Sequence, residues 1–141
     1  MISMLFLAAA PLSPEFDAVA AAPASHRVLL ENETVRVLRV VVEPGETEPV
    51  HDHRCPSVMY FEQPQPITYT EYALKSGVLV ASRSIEAPAL TATQTISAEP
   101  EGLHSVKNRG TAPFIAVRVE FKRDGCLQPA AAETPQSPAQ P

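Results

Sequence analysis

Residues 114–122, FIAVRVEFK, decide the fold class. Ile115, Val117, Val119 and Phe121 fall on one face of an extended chain, and Ala116, Arg118, Glu120 and Lys122 on the other. A period of two marks a strand, because successive side chains leave a pleated backbone on opposite sides. Outward from this run the pattern recurs. TVRVLRVVVE (34–43) is rich in β-branched residues, which suit a pleated surface, and it stops at the turn signal Pro44-Gly45. SVMYF (57–61), ITYTEYAL (67–74), VLVAS (78–82) and TATQTIS (91–97) read as further strands, with Ser76-Gly77 as one punctuation mark. Pro64 and Pro66 confine their region to a loop or a sheet edge, since proline has no amide hydrogen for a ladder. HSVKN leads into Asn108-Arg109-Gly110, a tight connection. Many short strands and almost no helix after residue 23 indicate an all-β chain, an antiparallel β-barrel or double-sheet jelly roll.

A chain of 141 residues with 45% hydrophobic residues is one domain able to bury a real core. Its formal net charge of −5, without a lysine or arginine run, excludes nucleic acid and anionic membrane as expected partners. The lack of tryptophan also argues against a base-stacking platform. Residues 1–25 read as an apolar segment and a short N-terminal helix, 26–124 as the barrel, and 125–141 as a disordered tail. Four prolines in the last thirteen residues leave that tail nothing to build a core from. MISMLFLAAAPL has the apolar character of a signal peptide, but the first basic residue is Arg27, so a charged n-region is missing. Ser13 as helix cap, Pro14 at the first helical position, and Glu15 and Asp17 near the N-terminal end give SPEFDAVAAAP a structural reading, with Pro23 as its stop. The expected location is therefore cytoplasmic, with export after cleavage as the alternative. Cys55 and Cys126 read as free thiols in a reducing compartment, or as one bridge at most, with Cys55 a buried inert thiol.

The chemistry gathers in PVHDHRCPSVMY (49–60). On a strand, His51 and His53 project to the same face, so two imidazoles reach one ion from one segment. Neutral imidazole is the commonest metal ligand. A third ligand must come from elsewhere, and His104 in EPEGLHSVKN is the candidate. The competing reading is an exposed polar strand.

Gly45, five residues, His51, one residue, His53 resembles the opening of the first cupin motif, and Pro100, Gly102, His104 and Asn108 resemble the second. The wider run over roughly residues 26–122 is similar to small bacterial single-domain cupins, including the type named for β-alanine degradation. The resemblance implies a jelly-roll barrel whose interior holds a divalent metal (iron, zinc, manganese, nickel or copper) on His51, His53 and His104. It implies a small-molecule ligand, and a homodimer formed through barrel edges. Two departures stand out. The motif's glutamate is absent, since Ser57 and Val58 occupy its places and Glu62 lies too far along; and only Leu103 separates Gly102 from His104, one residue fewer than usual. Three histidines without a carboxylate would leave the metal's charge whole and favour an anionic ligand.

The function expected from the resemblance is a metal-dependent enzyme, most concretely a dioxygenase, acting on a small polar or carboxylate-bearing metabolite. A non-catalytic small-ligand binder is the alternative. Asn108 reads as a turn residue and His26, ahead of the strands, as surface. Tyr60, Tyr69 and Tyr72 read as packing or pocket residues, and Arg36 or Arg39 as an outside candidate for a carboxylate anchor.

Overall fold

Nine strands form from these runs in the computed structural model, which describes residues 13–127. The apolar run before residue 13 and the tail after residue 127 lie outside the described residues, and so do the expectations attached to them. The strands are β1 (His26–Glu31), β2 (Val35–Val42), β3 (His51–His53), β4 (Ser57–Gln63), β5 (Ile67–Lys75), β6 (Val78–Ala87), β7 (Thr95–Ala98), β8 (Glu101–Asn108) and β9 (Phe114–Phe121). All their pairings are antiparallel. They make a five-stranded sheet, ordered β1-β2-β9-β4-β7, and a four-stranded sheet, ordered β3-β8-β5-β6. The architecture is the expected jelly roll, built as two sheets and not as one closed barrel. β1 was not expected as a strand, because HRVLLE shows no alternation and only His26 in it is buried.

The period of two holds, and the face that carries the charged residues is the buried one. β2 and β9 pair in unbroken register from Val35 opposite Phe121 to Val42 opposite Phe114. Arg36, Leu38, Val40 and Val42 point inward from β2, and Phe114, Ala116, Arg118 and Glu120 from β9. An apolar alternation ordinarily marks the core side of a strand. Here Val117, Val119 and Phe121 are half-buried on the outer side, while Arg118 and Glu120 are 3% and 0% exposed. Cross-strand partners share a face. The interior is therefore layered, with Arg36, Glu120 and Ser57 in one layer and Val40, Ala116 and Phe61 two layers away. Leu38, Val40, Val42, Phe61, Phe114 and Ala116 form the apolar core.

The N-terminal helix is shorter than expected and capped elsewhere. A single 3-10 turn covers Pro14–Phe16, and Ser13 makes no side-chain cap bond. Asp17 is the cap of α1 (Ala18–Ala21), accepting from the Val19 amide at 3.1 Å. A four-residue helix has no stability of its own. It is docked by Val19 against the core and by Asp17, which accepts two 2.9 Å bonds from Arg36.

Cys55 and Cys126 form a disulfide, with Cα atoms 5.4 Å apart, which settles the choice between free thiols and a bridge. The bond ties the start of β4 to the turn beyond β9. Closing a loop of 71 residues restricts the unfolded chain by on the order of 4 kcal/mol. The Cys126→Ser protein should therefore melt about 10 °C below wild type, as followed by circular dichroism. Native, unreduced protein should take up no thiol reagent at either position; prompt labelling of both would contradict the bridge.

Candidate metal centre

Gly45 adopts a φ of +77°, a region that costs glycine nothing, and turns the chain back along β8. Its amide donates to the Asn108 carbonyl (2.9 Å), the Asn108 amide to Glu46 (3.0 Å), and the Glu48 amide to Val106 (3.0 Å). This zipper delivers β3 beside β8, with His51 opposite His104 and His53 opposite Glu101. A step of two residues on β3 there matches a step of three on β8. Such a bulge re-aims side chains, and it brings Glu101 and His104 toward one place although their spacing of three would part them on a regular strand. Asn108, expected as a turn residue, is instead the buried last residue of β8 and braces the turn that follows. Its side-chain amide donates to Val42 (2.9 Å) and Ala112 (2.8 Å), and its side-chain oxygen accepts from the Gly110 amide.

His51, His53 and His104 come together, each no more than 2% exposed. Their ring centroids are 5.1 Å (His51–His53), 4.4 Å (His51–His104) and 5.6 Å (His53–His104) apart. His26 joins them and is not a surface residue: it is 2% exposed, with its ring 4.6 Å from His51 and 5.2 Å from His53. The cause is register, since His26 pairs with Val40, an inward position of β2.

All four rings are held by Nδ1. That atom faces the Ala22 carbonyl in His26 (3.3 Å), the Pro49 carbonyl in His51 (2.8 Å), Glu120 Oε1 in His53 (2.8 Å) and the Gly102 carbonyl in His104 (2.7 Å). Carbonyl and carboxylate oxygens only accept, and the Ser25 hydroxyl, 3.0 Å from His26 Nδ1, gives its own proton to Glu48, so each Nδ1 carries the proton and each neutral ring keeps its lone pair on Nε2. Fixing the outer nitrogen in this way is how proteins orient metal-binding imidazoles. Nε2 of His51 is buried without a hydrogen-bond partner among the described residues. Two overlapping sets bring ligand atoms within 4.8 Å of one another: His26, His51 and His53, and His53, Glu101 and His104. His53 belongs to both.

A cupin-domain structure from Bordetella pertussis is similar over 69% of this chain and 91% of its own, with a TM-score of 0.56 at 23% identity. This chain has the cupin fold. An RmlC-like cupin from Methanocaldococcus jannaschii matches 68% of this chain and 77% of its own (12% identity, TM-score 0.48), and a double-stranded β-helix protein from Klebsiella pneumoniae matches 71% and 77% (23% identity, TM-score 0.46). No family model and no curated protein matches.

With the cupin fold in place, the missing motif glutamate has a structural counterpart. Ser57, at its position, is buried and lies directly across from Glu120 of β9. The Glu120 carboxylate accepts from Arg36 Nε at 2.6 Å with one oxygen and from His53 Nδ1 with the other. It holds the His53 ring from behind. A carboxylate within ligand reach comes instead from Glu101, whose other partners are Arg118 and the Tyr69 hydroxyl (3.1 Å). The expectation of a site without carboxylate is thus corrected. Glu101 and Glu120 escaped the sequence reading for one reason each: a bulge altered the parity of the first, and the second sat on a face read without knowing it was inward. Arg36 is occupied by Asp17 and Glu120, and Arg39 meets Glu62 at the surface (3.3 Å), so neither is free to anchor a ligand. Tyr69 stacks on His104 with centroids 4.8 Å apart, Tyr72 bonds Ser105, and Tyr60 is exposed.

A cavity of about 230 Å³ adjoins the rings. His26, Glu48, Glu101, His104 and Arg118 are among its polar lining residues, and Val40, Val42, Phe61 and Phe114 make much of its wall. Burial lowers the His26 pKa to about 4 and holds the other three imidazoles below their ordinary value, so all four are neutral near pH 7. Neutral is the form that binds metal. Burial pushes the Glu48 carboxyl up to about 7, against a hydrogen bond from Ser25. A carboxyl raised in the folded state favours folding when protonated and loses that advantage as pH rises from its ordinary 4.5 through 7. In metal-free protein, Glu48→Gln should therefore match wild type in denaturant stability at pH 4.5. By pH 8 it should exceed wild type by about 3 kcal/mol. A gap that shrinks with rising pH would contradict this placement of Glu48.

Proposed function

We propose that this chain holds one divalent metal ion on its buried imidazoles, with His51, His53 and His104 as ligands and His26 beside them, and acts through it on a small molecule in the adjoining cavity. One observation carries the reading: the buried Nε2 of His51 has no partner, in a ring whose Nδ1 is already bonded. An unmet polar atom of this kind costs about 1–3 kcal/mol, and a cation accepting its lone pair removes that cost. Iron, zinc, manganese, nickel and copper all suit a donor set of imidazoles with a carboxylate in reach.

Oxygen-dependent oxidation of a small carboxylate-bearing molecule, a dioxygenase reaction, is the activity we favour. A bound ion supplies an open coordination position and Lewis acidity. The chain's own residues do the rest. Glu48, titrating at about 7, can take or give a proton near neutrality, and the apolar wall keeps water from the rings. A non-catalytic ligand binder is the second reading. It is favoured by Glu101, which is held by Arg118 and Tyr69 and so is not free to act as an acid or base. As to location, the Cys55–Cys126 bridge favours an oxidising compartment over the cytoplasm. Among the described residues, no helix is long and apolar enough to cross a membrane.

Elemental analysis of purified protein is expected to find one ion per chain. His51→Ala, His53→Ala and His104→Ala should each lose most of it, and His26→Ala should bind about 10-fold more weakly. An ion at 100 times its Kd stabilises the fold by about 2.7 kcal/mol, so chelation should lower the melting temperature by several degrees. Wild type that stays metal-free after incubation with all five metals would overturn the proposal. Oxygen uptake by loaded protein with small thiols or carboxylates supports the dioxygenase reading; ligand binding without uptake supports the second.

A further inference from the structure

Among the described residues, Arg118 is the inward-facing cation beside the cavity that no carboxylate fully occupies. Its side chain is 3% exposed, and it is paired through Nη2 with Glu101. Its Nε is buried and has no hydrogen-bond partner among the described residues. Arg118 is one of the residues that line the cavity. A charged, buried N–H without an acceptor is costly, and an anionic oxygen is the partner that relieves it best. Apart from the polar residues already named, of which the carboxylate Glu101 is paired with Arg118, the cavity is mostly apolar. Met59, Phe61, Ile67, Ile96 and Phe114 line it, together with Val40 and Val42 from β2. A pocket with one unmet cationic donor and an apolar wall selects a ligand with one anionic head and an apolar body.

Size narrows the class further. A dry apolar cavity of about 150 Å³ takes benzene, so about 230 Å³ takes roughly nine non-hydrogen atoms. We infer that the cavity binds a small monocarboxylic acid of about that size, its carboxylate on Arg118 Nε and its hydrocarbon body against the wall of β2, β4 and β9. The inference deepens the proposed function and rests on its claim that the cavity receives a small molecule. It does not rest on the metal, because the head is held by a guanidinium. It also narrows the expected polar metabolite to an amphipathic one.

Isothermal titration calorimetry of the full chain, metal-free and again after zinc loading, tests this with acetate, butyrate, hexanoate and hexan-1-ol. Each buried methylene contributes about 0.8 kcal/mol, so hexanoate should bind about 10-fold more tightly than butyrate. Acetate should bind weakest of the acids. Hexanoate should also exceed hexan-1-ol by at least 10-fold, and it should bind the metal-free protein. Arg118→Lys keeps the charge beside Glu101 but removes Nε; it should lose 10-fold or more for hexanoate and change little for hexan-1-ol. Should that variant not fold, the wild-type comparison of hexanoate with hexan-1-ol decides alone. Equal binding of acid and alcohol would overturn the Arg118 anchor. So would hexanoate binding seen only with zinc, which would put the carboxylate on the metal. No binding of any probe in either form would overturn the ligand class. A protein that takes up no metal yet binds hexanoate would sink the metal reading and leave this one standing.

Discussion

A buried carboxylate holds the architecture of the site together. Glu120 is fully buried, with one oxygen on Arg36 and the other on His53. Arg36 reaches on to Asp17, which caps the short helix. One relay thus links α1, β2, β9 and β3. Desolvating such charges costs several kcal/mol per ion, repaid only when the geometry is good and the remaining lone pairs are met. Here Glu120 has a partner on each oxygen. Removing one partner from a buried set of this kind typically costs about 3–5 kcal/mol, because the other charge is stranded. The relay therefore fixes which face of β9 turns inward, and the rest of the interior follows from that choice.

Because strand parity is rigid, putting Glu120 inside also puts Arg118 and Ala116 inside. The same parity on β2 turns in Arg36, Leu38, Val40 and Val42. The interior consequently grades from ionic to apolar along the strands. The histidines gather where polar acceptors are available to hold their Nδ1 atoms, and the cavity lies where the ionic and apolar regions meet. The valines on the outer sides of β2 and β9 remain half-buried, which is why the alternation alone misleads about direction.

Strand content, the turn at Gly45, and the meeting of His51, His53 and His104 were legible, because they depend on local period and on motif spacing. The facing of β9 was not. Apolar alternation reports a two-fold period, but the sign of the face depends on whether buried charges find partners, and those partners lie on other strands. His26 depended on pairing with Val40, in a strand with no pattern of its own. Glu101 depended on a bulge. The disulfide was legible only as an option, since two cysteines 71 residues apart say nothing of proximity.

The central claim is that four buried, neutral imidazoles, each held through Nδ1, keep unprotonated Nε2 atoms for a metal ion. Long-range proton–nitrogen NMR of the histidine rings in metal-free protein at pH 7 reads this directly. The account predicts four neutral rings in the Nδ1–H form, with the Nε2 resonances of His51, His53 and His104 moving on addition of zinc. A ring among those three that is charged, or that carries its proton on Nε2, would contradict it.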